Sequence, residues 1–115
     1  MITVYGIRNC DTVKKARRWL DEHGVAYRFH DFRADGLDEA TLRAWCNSVV
    51  WETLLNRRGA TWRALPEHDK AVADQAAAVV LMLAHPALIK RPVLVKGNDL
   101  LVGFDENAYA KLAVS

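Results

Sequence analysis

Cysteine is scarce in this sequence, and the two that are present, Cys10 and Cys46, are too few for a disulfide framework. Long apolar runs are also missing, because the longest, from Ala76 to Ala84, is far shorter than the roughly 20 residues of a membrane-spanning helix. The first residues show no basic segment followed by an apolar stretch, so we expect no signal peptide. These absences favour a reducing, cytoplasmic setting without a membrane partner, where a reactive cysteine is more often catalytic than structural.

An excess of charge of one sign is missing as well, because 16 basic and 14 acidic residues leave a net charge of +2. This balance gives no reason to expect a nucleic-acid partner. The four histidines are scattered along the chain without the spacing of metal ligands, so we expect no metal site and no bound cofactor. The 115 residues suit one domain with one hydrophobic core, and we expect a monomer.

The most informative stretch that is present covers residues 1–20, where the pattern predicts a short strand, a loop and a helix. Positions 2 to 5 are good strand formers, and a glycine ends the run. Asp11 and Thr12 are residue types that begin helices, and apolar residues follow at the helical spacing of positions 13, 16 and 20. Cys10 is therefore predicted to lie at or just before the first turn of a helix.

This predicted position of Cys10 favours its thiolate form. The free N–H groups of a first helical turn and the helix dipole stabilise an anion, and such sites lower a cysteine pKa from about 8.5 to roughly 3.5–7.5. Arg8, Lys14 and Lys15 add positive charge nearby, whereas the carboxylate of Asp11 acts against ionisation. The pattern predicts a nucleophile; the alternative is an inert thiol, because free cysteines are commonly buried.

The next residues extend this start into a β-α-β unit. Gly24 suits the position after a helix end. Residues 25–32 contain strand formers with partial alternation, and a right-handed crossover would place this second strand parallel to the first. A further helix is expected from a cap at Asp38 to about Asn47.

The middle of the chain is predicted to be helical but interrupted. Short helical segments are expected at residues 51–55 and 62–65, and Pro66 suits the start of a longer helix that ends at His85. The apolar positions of this longer helix are Val72, Ala76, Val79, Val80 and Leu83.

The C-terminal part changes to a hairpin pattern. Two β-rich runs, residues 93–95 and 100–102, are joined by turn residues, and Pro92 fits immediately before the first of these strands. A last helix is expected from about Asp105 to Ala113.

Three segments of the chain resemble the arsenate-reductase-like family of ArsC, Spx and YffB proteins. They are VYGIRNCDTVKKARRWL, LLNRRGATWRAL and HPALIKRPVLVKGNDLLVGF. The resemblance as a whole covers nearly the whole chain. NCDTVKKA and LLNRRG are most similar to the YffB branch. The element order, β-α-β and later β-β-α, resembles a thioredoxin-like α/β fold with a mixed four-stranded sheet. This implies a single domain over residues 1–115, with a helical insert at about residues 36–86.

The resemblance implies roles for three residues. Cys10 would be the nucleophile, Arg91 the active-site arginine beside it, and Pro92 the cis-proline of thioredoxin folds. Only about 5–6% of X–Pro bonds in folded proteins are cis. From its position alone, Arg91 could instead be a surface residue at a strand edge.

The sequence departs from the three-arginine cradle that surrounds the cysteine in arsenate reductases of this family. Only Arg91 matches, since Asn56 and Gly103 stand where the other two arginines are expected and Gly6 replaces a histidine. Losing two charge-assisted partners, each worth roughly 1.5–3 kcal/mol, would weaken arsenate binding. Other arginines that could compensate are Arg8, Arg57 and Arg58.

The function predicted on this basis is a glutathione-dependent monothiol oxidoreductase. Cys10 would attack a small oxidised or disulfide substrate. Glutathione would act as co-substrate and resolve the mixed disulfide, because Val13 stands where a C-x-x-C motif has its second cysteine. Charge-assisted hydrogen bonds from Arg91 and Arg8 could hold a glutathione carboxylate. The predicted substrate-binding or glutathione-binding residues are Arg8, Asp11, Thr12, Asn56 and Pro92.

Several alternatives stay open at this point. The protein could reduce arsenate with glutathione, act like Spx as a regulator that binds RNA polymerase, or keep the fold without activity. Cys46 is predicted to fill the core, and the alternative is a resolving thiol for Cys10. A basic helix face is predicted to be mostly solvated, although it could meet an acidic partner; its residues are Lys14, Lys15, Arg17 and Arg18. The tryptophans at positions 45, 51 and 62 are predicted to pack between helices.

Overall fold

The computed structural model describes residues 1–113 of the chain. Within these residues there are four strands and six α-helices, in the order β1 (Ile2–Gly6), α1 (Asp11–Glu22), β2 (Tyr27–Asp31), α2 (Glu39–Ser48), α3 (Trp51–Leu54), α4 (Ala60–Arg63), α5 (Gln75–Ala84), β3 (Val93–Lys96), β4 (Asp99–Val102) and α6 (Glu106–Ala113). Short 3₁₀ turns occupy Glu67–Lys70 and Pro86–Leu88. The chain divides into two compact units, one formed by Met1–Gly36 with the residues from Arg91 onward, the other by Leu37–Lys90.

The first unit is built on a mixed sheet whose order, within the described residues, is β2-β1-β3-β4. β1 and β2 are parallel, from Ile2 opposite Tyr27 to Gly6 opposite Asp31. β3 is antiparallel to β1, with Val93 opposite Tyr5, and β4 is antiparallel to β3. The predicted parallel β-α-β unit, the C-terminal hairpin and the thioredoxin-like α/β fold are thereby confirmed.

Apolar side chains on one face of this sheet pack against α1 and α6. Because side chains alternate along a strand, Ile2 and Val4 of β1 share this face, and Val4 is fully buried. α1 supplies residues at the helical spacing expected from the sequence, including Leu20, and α6 supplies Tyr109. This packing holds α1 firmly against the sheet, and so fixes the position of its N-terminal end.

The strand directions bring three chain segments to one edge of the sheet. The carboxyl ends of the parallel strands β1 and β2 lie at this edge, and so does the amino end of the antiparallel β3. The loop with Cys10, the side chain of Asp31 and the dipeptide Arg91–Pro92 therefore belong to the same edge.

The second unit is helical, and its first helix follows the sequence prediction. The side chain of Asp38 accepts a hydrogen bond from the Thr41 N–H at 2.8 Å and caps α2. Leu42 and Trp45 of α2 are buried, and α2 packs against α5. No helix in the described part of the chain is long and apolar enough to cross a membrane.

The prediction of one long helix starting at Pro66 is wrong. Pro66 begins only a 3₁₀ turn, and α5 starts at Gln75, after Asp74. The Asp74 side chain accepts a hydrogen bond from the Ala77 N–H at 2.9 Å, so a strong cap competes with continuing a helix through this point. The buried residues of α5 therefore differ from the predicted ones. Val80 was predicted to be buried and is 65% exposed, and the buried residues are Ala78, Val79, Leu81 and Met82.

Candidate active site

The loop after β1 places Cys10 at the start of α1. Cys10 is the N-cap residue, with an extended backbone (φ −103°, ψ 127°), and its carbonyl accepts the hydrogen bond of the Lys14 N–H at 2.9 Å. The loop is closed by a bond from the Cys10 N–H to the Ile7 carbonyl at 3.1 Å. The thiol is half-buried, and it is free to use the unpaired N–H groups of the first helical turn.

Three donors lie close enough to the Cys10 sulfur to stabilise its thiolate: the backbone N–H groups of Val13 and Thr12 and the side chain of Arg91. The Cys10 side chain makes no capping hydrogen bond to the helix in the geometry of this structure, so the N–H groups act on the sulfur by proximity. Burial by itself would raise the pKa of Cys10. The three donors and the positive charge of Arg91 together outweigh burial, so the pKa of Cys10 lies below its ordinary value. The site therefore holds a thiol that ionises more readily than a free cysteine.

Arg91 reaches this sulfur because of the sheet register. β3 pairs with β1 up to Val93 opposite Tyr5, so residues before Val93 extend beyond the end of β1 toward the loop of Cys10. The peptide bond between Arg91 and Pro92 is cis, and the Pro92 carbonyl accepts a hydrogen bond from the Gly103 N–H at 2.8 Å. Arg91 is half-buried, which strengthens its interaction with the thiolate relative to a solvated pair.

Gly6 is the residue that allows α1 to approach β1. A Cβ atom at this position would lie 2.7 Å from Cγ2 of Val13, the same residue whose N–H lies close to the sulfur. A side chain at position 6 would require Val13 or α1 to shift, so the present packing does not accommodate the histidine that the family resemblance places here.

Asp31 is a residue of this site that sequence reasoning missed. It is only 5% exposed, and its carboxylate accepts hydrogen bonds from the N–H groups of Arg8, Arg33 and Ala34. Burial acts to raise the pKa of Asp31, but these bonds and the charge of Arg8 hold it below its usual range. The bond to Arg8 fastens the Cys10 loop to the end of β2. The sequence did contain a signal for Asp31, namely an acidic residue within a predicted strand. A buried carboxylate requires hydrogen-bond donors, so such a residue indicates a site where N–H groups converge.

The other predicted site residues are placed as follows. Arg8, Asp11 and Thr12 are within two positions of Cys10 in the sequence, and all three are exposed. Asn56 belongs to the second unit, where its side-chain oxygen accepts the Arg58 N–H at 3.0 Å and so shapes its own turn.

Gly103 stands in place of a cradle arginine, and Arg57 and Arg58 are predicted as possible substitutes for one; all three have other contacts or constraints in the structure. Gly103 has a φ of +81°, a region that L side chains rarely adopt. Arg57 lies against the rings of Trp51 and Trp62, with its guanidinium carbon 5.6 and 5.7 Å from their centroids. The Arg58 carbonyl accepts a hydrogen bond from Arg63.

Cys46 lies in α2, within the second unit, and is half-buried. Burial raises the pKa of Cys46, and the charge of Arg43 only partly offsets this. Among the described residues, neither cysteine is in a disulfide. Residues 1–113 contain no group of three or more histidine, cysteine, aspartate or glutamate side chains that could hold a metal ion.

A thioredoxin-like α/β fold with this arrangement is that of arsenate-reductase-like thiol oxidoreductases. The family model of the ArsC family matches residues 5–112. A solved structure described as the YffB (PA3664) protein is 55% identical, with a TM-score of 0.95 over 98% of this chain and 99% of that one. The chain therefore belongs to the ArsC family.

Two curated proteins extend the comparison. An uncharacterized protein of Haemophilus influenzae is 45% identical over 109 residues, which is 95% of this chain and 96% of that protein. The global transcriptional regulator Spx of Listeria innocua is 26% identical over 110 residues, covering 93% of this chain and 82% of the regulator. The resemblance predicted from the sequence is confirmed.

Proposed function

We propose that the protein is a glutathione-dependent monothiol oxidoreductase in which Cys10 is the nucleophile. The observation that carries this proposal is the position of one half-buried sulfur at the N-cap of α1, where two backbone N–H groups and Arg91 lower its pKa. A thiolate is the reactive form of cysteine, so a site that lowers the pKa of Cys10 favours nucleophilic attack. Val13, which occupies the second position of a C-x-x-C spacing, leaves Cys10 without a local resolving thiol.

The proposed reaction has three thiol–disulfide exchanges. The Cys10 thiolate attacks one sulfur of a substrate disulfide, forms a mixed disulfide and releases the other sulfur as a thiolate, which takes up a proton. A glutathione thiolate then attacks the Cys10 sulfur, which gives glutathionylated Cys10 and releases the substrate as a thiol. A second glutathione thiolate attacks the glutathione sulfur and releases Cys10 as the thiolate, so that two glutathione molecules are oxidised for each disulfide reduced.

The residues around Cys10 have distinct tasks in this scheme. The N–H groups of Thr12 and Val13 and the Arg91 guanidinium stabilise Cys10 as the attacking group and again as the leaving group of the last exchange. Arg8 and Asp11 are exposed beside it and would contact the substrate. Pro92 is buried next to Arg91 and would border the bound peptide.

The first test is the pH dependence of alkylation by iodoacetamide, followed at each cysteine by mass spectrometry of the digested protein. We expect Cys10 to react with an apparent pKa below about 8, lower than the roughly 8.5 of an unperturbed thiol. Cys46 serves as an internal control, because burial raises its pKa and it should react slowly throughout. An apparent pKa above about 8 for Cys10 would contradict the proposal, since little thiolate would then exist at neutral pH.

The second test is incubation with oxidised glutathione. We expect one glutathione adduct, on Cys10, that is removed by reduced glutathione and absent in Cys10→Ser. Adduct formation at Cys46 alone, or at neither cysteine, would rule out the proposed nucleophile.

Arsenate reduction and a regulatory role have less support. Gly103 stands where a cradle arginine is expected and has a backbone conformation that disfavours an arginine, and the Asn56 side chain is used in its own turn. A role like that of Spx is supported by similarity in sequence rather than by a site. Turnover of arsenate with glutathione that is lost in Cys10→Ser would replace the present proposal.

A further inference from the structure

Arg17, on the basic face of α1, is held against the sheet instead of extending into solvent. Its guanidinium carbon lies 4.1 Å from the centroid of the Phe29 ring, and its Nε donates a hydrogen bond to the Tyr27 hydroxyl at 3.2 Å. The Arg8 guanidinium carbon lies 5.7 Å from the same ring of Phe29. We call these two arginines on one ring the Arg8–Arg17 pair.

The two guanidinium carbons of the pair lie within about 10 Å of each other, because both lie against one ring. Among residues 1–113, no carboxylate oxygen is recorded within 4.0 Å of either guanidinium group. Asp31 interacts with the charge of Arg8, but its carboxylate is buried and accepts three backbone N–H groups. The two positive charges are thus brought together without a carboxylate pairing partner.

The contacts of Arg17 leave its donors available. Stacking on Phe29 uses the face of the guanidinium group, and Tyr27 accepts only from Nε. The four terminal N–H groups of an arginine lie in the guanidinium plane and fit a carboxylate with two parallel hydrogen bonds. A guanidinium that is already ordered loses less side-chain entropy when it binds.

The pair lies within reach of a molecule bonded to Cys10. Arg8 precedes Cys10 by two positions, and Arg17 follows it by seven, which is about 10 Å along the axis of α1. In a tripeptide whose middle residue carries the thiol, as in glutathione, a terminal carboxylate lies up to about 7 Å from the sulfur, and the disulfide bond to Cys10 adds about 2 Å. A peptide thiol whose sulfur is joined to Cys10 can therefore place a carboxylate at the pair.

We propose that the Arg8–Arg17 pair on Phe29 is a carboxylate-binding subsite for the thiol substrate of Cys10. The subsite makes the protein select disulfides of small carboxylate-bearing thiols, of which glutathione is one, over neutral disulfides. This inference rests on the proposed function, because it assigns a substrate class to the same nucleophile.

The test compares the rate of mixed-disulfide formation at Cys10 with two probes, oxidised glutathione and neutral 2-hydroxyethyl disulfide. Arg17→Gln should slow the reaction with oxidised glutathione about fivefold, the size expected for losing one partly exposed charge-assisted contact, and leave the neutral probe unchanged. Arg18→Gln is the matched control, because it removes the same charge from an exposed position of the same helix with no recorded contact to Phe29. It should react like the wild type with both probes.

Competition by S-methylglutathione is a second measurement of the same subsite. S-methylglutathione carries both carboxylates of glutathione but no reactive thiol, so it should slow the reaction of oxidised glutathione in the wild type and inhibit Arg17→Gln about fivefold more weakly. Equal slowing of both probes in Arg17→Gln, equal effects of Arg17→Gln and Arg18→Gln, or no inhibition by S-methylglutathione would overturn the subsite. Failure of Cys10 to react with either disulfide would instead overturn the proposed function.

Discussion

At the scale of single residues, the reactivity of the site depends on how one sulfur is solvated by the protein. Burial alone would make Cys10 a weaker acid, and three donors reverse that effect. Two of the donors are backbone N–H groups, which every residue type except proline supplies. Arg91 is the one side chain among these three donors. A substitution at Arg91 can therefore remove its interaction with the sulfur without changing the backbone donors.

We predict that Arg91→Gln slows the alkylation of Cys10 at pH 7 about tenfold. An adjacent positive charge typically lowers the pKa of an acid by about one pKa unit or more, and the thiolate fraction at pH 7 changes accordingly. Arg91→Lys should fall between wild type and Arg91→Gln, since lysine keeps the charge but not the planar guanidinium. The measurement is the rate of iodoacetamide labelling by mass spectrometry, with Arg18→Gln as the control for net charge. Equal rates in all four proteins would show that Arg91 does not act on the thiol.

At the scale of elements, the site requires α1 to lie so close to β1 that a Cβ atom at Gly6 would be 2.7 Å from Cγ2 of Val13. The contact is between the backbone of Gly6 and the side chain of Val13, which is fully buried. Val13 also provides an N–H group to the sulfur. Val13 therefore has both a packing role and a role at the sulfur. We expect a substitution at Gly6 that displaces Val13 to change the reactivity of the Cys10 thiol as well.

We predict that Gly6→Ala lowers the free energy of unfolding by about 1–3 kcal/mol, the usual range for overpacking, and also slows the alkylation of Cys10. Urea unfolding and iodoacetamide labelling measure the two effects. The clash should be relieved when Val13 is shortened, so Gly6→Ala should cost less in a Val13→Ala background than in the wild type. Strictly additive costs would show that Val13 is not what Gly6 accommodates.

At the scale of the whole molecule, Asp31 joins separate parts of the first unit. Its carboxylate holds the Cys10 loop at Arg8, 23 positions away, and also the turn at Arg33 and Ala34. A group whose folded pKa is depressed contributes stability above its unfolded pKa and loses it as the pH falls through the folded pKa.

We predict that Asp31→Asn lowers the free energy of unfolding at pH 7 by about 2 kcal/mol, because it removes a buried, hydrogen-bonded carboxylate. The difference from the wild type should shrink as the pH falls below about 4, the ordinary pKa of aspartate. The unfolded wild type then binds a proton, whereas the folded protein keeps Asp31 ionised until its own lower pKa is reached. Urea unfolding at pH 7 and at pH 3 measures this change. A difference that stays constant with pH would mean that the charge of Asp31 is unimportant for stability.

Short-range patterns in the sequence were sufficient for most elements. The N-terminus of α1 at Asp11, the cap of α2 at Asp38 and the C-terminal hairpin all agree with the structure. The prediction that a long helix starts at Pro66 is wrong for a local reason. The stretch contains two possible helix starts, and the α-helix begins after the Asp74 cap instead of at the proline.

What the sequence determined by itself was the position of Cys10 at a helix start, since strand, loop and helix signals lie within twenty residues. Only the tertiary structure decided which groups surround the sulfur. The donors from Arg91, the anchoring of the loop by Asp31 and the placement of Arg17 on Phe29 all depend on contacts across the sheet. Such contacts arise from strand register and packing between distant segments, which the local pattern of any one segment does not contain.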